Sequence, residues 1–352
     1  MYIILAILIF GVLIATHELG HFMAAKACGV RVLEFAIGMG PAIFSKQGKE
    51  TKYSLRCLPL GGFCAMEGED ESSMDPRAFI NQPVWKRLII LVAGAGMNFL
   101  TGIILILLVF AGADGFTPPT ITGFFEGCPY QGEDMLMEGD TFYKIDGERI
   151  YFSTDVSTYL ARGNGETADI VIIRDGKKIK LDDFPLKPVE YDTDEGKVMK
   201  YGLYFTKTES GLGARLKYSW YSACDFVRLV RLGLVDLFTG ALGLKDMSGV
   251  VGIVGVINDV GKASGSVASA LSNIGYLTAF IAINLAVMNM LPIPALDGGR
   301  VLFLILTWVI EKISRRKLDP KYEGYINTAG LVLLMGLMVV VMFNDIYKLI
   351  AK

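Results

Sequence analysis

"THELGHF", Thr16 to Phe22, closes an apolar run that starts at the first residue and places three ionisable side chains where hydrocarbon is expected. The run, Tyr2 to about Ala25, is long enough to cross a bilayer, which takes roughly 20 predominantly apolar residues. An ionised carboxylate such as that of Glu18 is expensive at that depth, so it points to a use. His17 and His21 are the only two histidines in the chain. Residues four apart share one face of a helix, so the two imidazoles can bind one tetrahedral zinc ion. Glu18, between them, then faces the water on that zinc as general base. Zinc lowers the pKa of such a water to about 7, which makes hydroxide available at neutral pH. A pair of packed core histidines would leave Glu18 unexplained.

The composition agrees with a membrane protein. Of 352 residues, 52% are apolar and 20% charged, and the mean hydropathy is +0.45. A net charge of −2 and a pI near 5.9 offer no basic surface for nucleic acid. Cys28, Cys57, Cys64, Cys128 and Cys224 are odd in number and form no C-x-x-C pair, which excludes a disulfide framework and a cysteine zinc site. The N-terminus has no basic n-region, so its apolar run reads as a retained span.

A second span, Leu88 to Ala113, is free of charge. Lys26, Arg31, Lys46, Lys49, Lys52, Arg56, Lys86 and Arg87 lie between the two and place that segment in the cytoplasm. Asp114 to Thr208 is polar, with turn signals at Asp146-Gly147, Asn164-Gly165 and Asp175-Gly176. "ADIVIIRDGKKIKL" reads as two strands about a D-G turn, so this is a small β-rich domain outside the membrane. Leu212 to Thr239 has apolar residues at helical spacing among arginines and lysines, either an interfacial amphipathic helix or one packed on that domain. "SGVVGIVGVINDVGKASGS" reads as a re-entrant or connecting segment. Asn273 to Ile310 forms a third span broken by Pro292, Pro294 and Gly298-Gly299. Lys312, Arg315, Arg316, Lys317 and Lys321 mark a second cytoplasmic loop, and Tyr325 to Ile350 forms the fourth span. Both termini are then extracytoplasmic. The expected divisions are 1–113, 114–208, 209–272 and 273–352.

A catalytic zinc takes three protein ligands and keeps one position open. With no third histidine, the remaining ligand must be a carboxylate. Asp297 in "NMLPIPALDGGR", Asn289 to Arg300, is the only acid between Asn273 and Ile310. Pro292 and Pro294 lack N–H donors and interrupt the helix where Asp297 must turn toward the metal. The competing role for Asp297 is a cap on a helix starting at Gly298.

"HELGHFMAAKACGVRVLEFAIGMGP" and "NMLPIPALDGGR" together closely resemble the paired signatures of the site-2 protease family of intramembrane zinc metalloproteases, in its RseP-like branch. The resemblance covers nearly the whole chain. It implies zinc held by His17, His21 and Asp297, with Glu18 as base. "AGAGMNFLTG" resembles the family's G-x-x-x-N motif. Asn98 and Asn289 then become candidates for holding the substrate backbone or the oxyanion, with a helix-packing hydrogen bond as the alternative for Asn98. "RVLEFAIGMGPAIFSKQGKETKYSLRCLPLGGF" reads as a hairpin about Gln47-Gly48, and the family has there a membrane-associated β-loop that pairs with extended substrate. "EGDTFYKIDGERI" resembles a PDZ stretch, while the preceding segment departs from that pattern and favours a steric role. "SGVVGI" resembles the family's S-G-P-x-G-I segment without its proline.

The expected protein is therefore a polytopic α-helical membrane protein with four transmembrane segments, a cytoplasmic-side β-hairpin and an inserted extracytoplasmic PDZ-like α+β domain. The resemblance implies a zinc endopeptidase of a bacterial cytoplasmic membrane. Its substrates would be single-span proteins already cut by an upstream site-1-type protease, anti-sigma factors and signal-peptide remnants being the usual kinds. A non-proteolytic metal-binding scaffold that uses the PDZ-like domain has no need for Glu18. A metal transporter would need a second file of intramembrane ligands.

Overall fold

The computed structural model describes residues 2–69, 73–163, 165–193, 196–243, 247–315 and 321–350. The chain begins with α1 (Tyr2–Cys28), β1 (Val32–Gln47), β2 (Lys52–Met66) and α2 (Val84–Ala111). There follow β3 (Gly115–Phe116), β4 (Ile121–Phe124), β5 (Thr141–Ile145), β6 (Glu148–Arg149), α3 (Ser153–Arg162), β7 (Ala168–Arg174) and β8 (Lys177–Phe184). Next are β9 (Val189–Thr193), β10 (Gly196–Lys200), β11 (Leu203–Phe205), β12 (Thr208–Glu209) and α4 (Leu212–Thr239). The chain closes with α5 (Val250–Ala263), α6 (Val267–Asn289), α7 (Asp297–Ser314) and α8 (Lys321–Ile350). It divides into two compact units, residues 1–109 with 226–352, and residues 110–225.

Among the described residues, four helices are long and apolar enough to cross a membrane: Tyr2–Cys28, Val84–Ala111, Val267–Asn289 and Gly324–Lys348. The broken third span resolves into two helices, with α6 supplying the full crossing length and α7 restarting at Asp297. Helices in lipid gain little from burying apolar surface against each other and rely on close packing at small residues. Gly20 and Gly94 provide this where α1 meets α2, since a Cβ on Gly20 would strike the Ala93 carbonyl. Gly102 does the same for α2 against Ile283 and Ala279 of α6. Ala6, Phe10 and Leu13 of α1 pack with Ile257 of α5 and Ile274, Ile281 and Ala282 of α6.

The segment "SGVVGI", read as part of a re-entrant or connecting stretch, opens helix α5. Its N-terminus is capped from α8, where one oxygen of the buried Asp345 carboxylate accepts the N–H groups of Gly249 (2.9 Å) and Gly252 (2.8 Å). A glycine-rich sequence becomes helical here because a distant carboxylate satisfies its first N–H groups and complements the helix dipole.

The hairpin differs from a simple two-strand ladder because both strands bend, at Gly38 and Gly40 in β1 and at Gly61 in β2, all with positive φ. The first half of β1 lies between two stretches of β2: Phe35 faces Cys64 on one side and Tyr53 on the other. Residues 62–66 pair only with this first half, so among the described residues their outer edge carries no strand. Ser54 (2.6 Å) and Arg56 (2.8 Å) both donate to Glu34, which crosses the sheet and holds its carboxyl below the usual range.

In the unit 110–225, strands run in the order β6-β5-β7-β8, with Ala168, Ile170 and Ile172 directed inward. Asp146-Gly147 and Asp175-Gly176 each have two consecutive positive φ angles, the tight turns expected between β5 and β6 and between β7 and β8. The expected turn at Asn164-Gly165 and the basic residues Arg316 and Lys317 involve positions outside the described residues. The fully buried Asp140 is held by Arg174 through Nε and Nη2, both at 2.7 Å.

Removing one partner of a buried ion pair strands the other charge, at about 3–5 kcal/mol. Arg174→Ala is expected to lower the thermal resistance of residues 110–225 to limited proteolysis while leaving the helical unit intact. A second expectation concerns pH. A carboxyl depressed on folding contributes stability above its unfolded pKa and loses it as pH falls through the folded value. Amide protection of the hairpin should therefore be higher in wild type than in Glu34→Gln at neutral pH, and the two should converge on acidification.

Candidate metal centre

His17 and His21 lie on the buried face of α1, with Leu13, Gly20 and Ala25. His21 Nδ1 is 2.8 Å from the carbonyl oxygen of Ile90 on α2. A carbonyl only accepts, so the proton sits on Nδ1 and the Nε2 lone pair is left for a metal. His17 Nε2 is 3.1 Å from His21 Nε2. The Asn289 carboxamide, in the last turn of α6, lies 3.4 Å from His17 Nδ1. Gly94 faces the pair, and a Cβ there would run into both imidazoles.

The third group arrives through a tight reversal. After α6 ends, Ala295 adopts φ +72°, unusual for a residue with a Cβ. Gly298 and Gly299 allow the reversal to fold onto the first turn of α7, since a Cβ on either would strike the backbone of Met290 or Ile293. Asp297 Oδ2 then lies 3.1 Å from His17 Nε2 and 3.3 Å from His21 Nε2. The three ligand atoms fall within 4.8 Å of one another. Asp297 Oδ2 is buried and accepts no hydrogen bond. Lone pairs converging in this way repel unless a cation lies among them, and two imidazoles with one carboxylate is a donor set of catalytic zinc.

Glu18 lines the same cavity, of about 330 Å³, together with Glu69, Arg300 and the β2 stretch Phe63–Met66. Gly62 passes close to Glu18: a Cβ there would lie 3.4 Å from Glu18 Cγ and would strike the Ala36 carbonyl oxygen at 2.9 Å. Burial, helped by the charges of Glu18 and Glu69, pushes the Cys64 thiol up to about 12. At neutral pH it is a protonated thiol and a poor metal ligand.

The two asparagines fall elsewhere than over the cavity. Asn98 is 1% exposed, and its Oδ1 accepts a hydrogen bond from Thr16 at 3.1 Å, a link between α1 and α2. Its position matches the helix-packing alternative, while Asn289 stands behind His17. Glu69 and Arg300 were not singled out from the sequence. Arg300 could have been, since it follows Asp297 by one helical turn and so shares its face.

The sequence pattern of peptidase family M50 matches residues 5–337. The chain belongs to peptidase family M50. It is 38% identical over 348 residues to a protein of Clostridium acetobutylicum named as a candidate zinc metalloprotease, covering 98% of this chain and 97% of that one. A protein of Clostridium perfringens with the same kind of name is 37% identical over 98% of both chains. The regulator of sigma-W protease RasP of Bacillus subtilis is 29% identical, over 99% of this chain and 98% of its own. An M50 chain with these relatives is a zinc metalloendopeptidase, and its four apolar helices make it an integral bacterial membrane protein.

The crowding at Gly94 gives a direct expectation. Gly94→Ala should displace one or both imidazoles and lower zinc retention by about tenfold or more, as disturbed support of metal ligands commonly does. Zinc content after dialysis, measured by mass spectrometry against wild type, checks this.

Proposed function

We propose that His17, His21 and Asp297 hold the zinc and that Glu18 is the catalytic base of an intramembrane endopeptidase. The observation that carries this reading is the convergence of those three ligand atoms in a cavity that Glu18 also lines. Zinc bound there supplies Lewis acidity, which acidifies water and polarises a peptide carbonyl. Glu18 takes the proton from the attacking water and delivers it to the leaving amine. The Ile90 carbonyl and Asn289 orient the imidazoles from behind. Asn289 Nδ2 is the atom nearest His17 Nδ1, at 3.4 Å, and turning that amide end for end lets its oxygen accept from Nδ1–H, which frees Nε2 for the metal.

The substrate enters as an extended segment. Carbonyls of a membrane helix are hydrogen-bonded within the helix, so a scissile bond must leave it before attack. The open edge of residues 62–66 offers backbone groups for strand addition, and Gly62 brings that edge against Glu18. The hairpin is cytoplasmic, both termini are extracytoplasmic, and residues 114–208 form a PDZ-like domain that excludes substrates whose outer portion is untrimmed. The substrates are single-span proteins already shortened by another protease. The Bacillus subtilis relative is named for regulating sigma-W, which favours anti-sigma factors.

The test is Glu18→Gln in reconstituted membranes with a single-span substrate trimmed on its outer side. Zinc content should be retained while cleavage slows by about 10²–10⁴-fold. Wild-type cleavage by a zinc-loaded Gln variant would remove Glu18 from the mechanism. Loss of zinc would make it a structural residue of the site.

A further inference from the structure

We propose that Glu69 and Arg300 are a positioning pair that holds Asp297 in reach of the histidines, so that metal affinity depends on a clasp between the end of the hairpin and α7. The inference rests on the assignment of His17, His21 and Asp297 as zinc ligands.

Arg300 lies on α7 one turn beyond Asp297 and donates through Nη1 to Glu69 Oε1. The pair is mostly buried, at 25% and 16% side-chain exposure, and it lines the same cavity as the three ligands. Glu69 is well placed to act as an anchor. Its other oxygen accepts the Met66 N–H at 3.3 Å. The neighbouring residues are tied down as well: Glu67 N–H donates to the Arg31 carbonyl (2.9 Å), and Phe79 and Ile80 donate to Glu67 (2.7 Å) and Gly68 (3.3 Å). Arg31 follows α1 directly, through the Val30 N–H to Ala25 carbonyl bond of 2.9 Å. A continuous set of contacts thus runs from α1, which carries the histidines, through Arg31, Glu67 and Glu69 to Arg300 and Asp297.

Such a link meets a specific need. Asp297 starts a helix after an irregular turn, and its ligand oxygen has no hydrogen-bond donor. Among the described residues no hydrogen-bond donor fixes that oxygen, Oδ2, in place before metal binds. The cavity also gathers three acids, Glu18, Glu69 and Asp297, and Arg300 is the one Lys or Arg among its described lining residues. Arg300 therefore offsets mutual repulsion of the acids as well as fixing the first turn of α7. An arginine suits this role because its planar fork keeps its orientation on a carboxylate.

The test uses the full-length protein in lipid nanodiscs and reads zinc affinity by competition with a chromogenic chelator. Glu69→Gln and Arg300→Ala should each weaken zinc retention about tenfold. The double variant should be no weaker than the worse single variant, and the exchange Glu69→Arg with Arg300→Glu should recover part of the loss. Zinc-free melting curves matching wild type would show that the fold is kept. Glu69→Gln, the milder change, decides the matter if Arg300→Ala fails to fold. Zinc affinity within twofold of wild type in Glu69→Gln would overturn the clasp. Asp297→Asn is measured alongside. If it binds zinc as wild type does, the ligand assignment fails; if it loses zinc while Glu69→Gln does not, only the clasp fails.

Discussion

Everything in the helical unit is arranged around one constraint: two imidazole nitrogens and one carboxylate oxygen, from helices at opposite ends of the chain, meet within 4.8 Å. Side chains at a contact ordinarily hold helix axes about 8–10 Å apart, and a closer approach needs small residues there. Here the approach is permitted by missing side chains. Gly20 and Gly94 bring α1 and α2 together, and Gly298 and Gly299 let the reversal before α7 fold flat. Each glycine removes a methyl group that would otherwise occupy the place of a backbone or an imidazole.

A hydrolytic centre in hydrocarbon also needs access to water and to a peptide backbone. The cavity is lined on one side by ionisable groups and on the other by β2. Bending the strands puts the interior half of β1 between two parts of β2, so that one β2 segment is left as an open edge. An edge of this kind is a liability in a soluble protein, where it invites aggregation. In the proposed mechanism the same edge receives a chain that has lost its helical hydrogen bonds.

Much of this was legible in the sequence because it follows from spacing. Two histidines four apart with an intervening acid, a lone aspartate in a proline-broken span, and D-G turns between alternating runs each constrain local geometry directly. The four spans followed from length and apolarity. The rest depended on partners far apart in sequence. The glycines of "SGVVGI" argue for a connector until Asp345 of α8 supplies their cap. The hairpin reads as two strands because a bend in both exchanges neighbours without changing the alternation pattern. Asn98 has the same identity whether it faces a substrate or Thr16, and only packing distinguishes the two. Glu69 is one of several acids in a polar stretch, and nothing in its local pattern names Arg300 as its partner.

The Asp345 cap has a consequence for how the protein sits in its bilayer. A shift of α8 along its axis by one helical turn, about 5.4 Å, would part the carboxylate from the Gly249 and Gly252 N–H groups. Each of those N–H groups left buried without a partner costs about 1–3 kcal/mol, more than the fraction of a kcal/mol per Å that a mismatched bilayer exerts. The last span is therefore pinned in depth relative to α5. A change in bilayer thickness is absorbed by tilt of the bundle or by the lipid around it, and the register between these two helices stays constant.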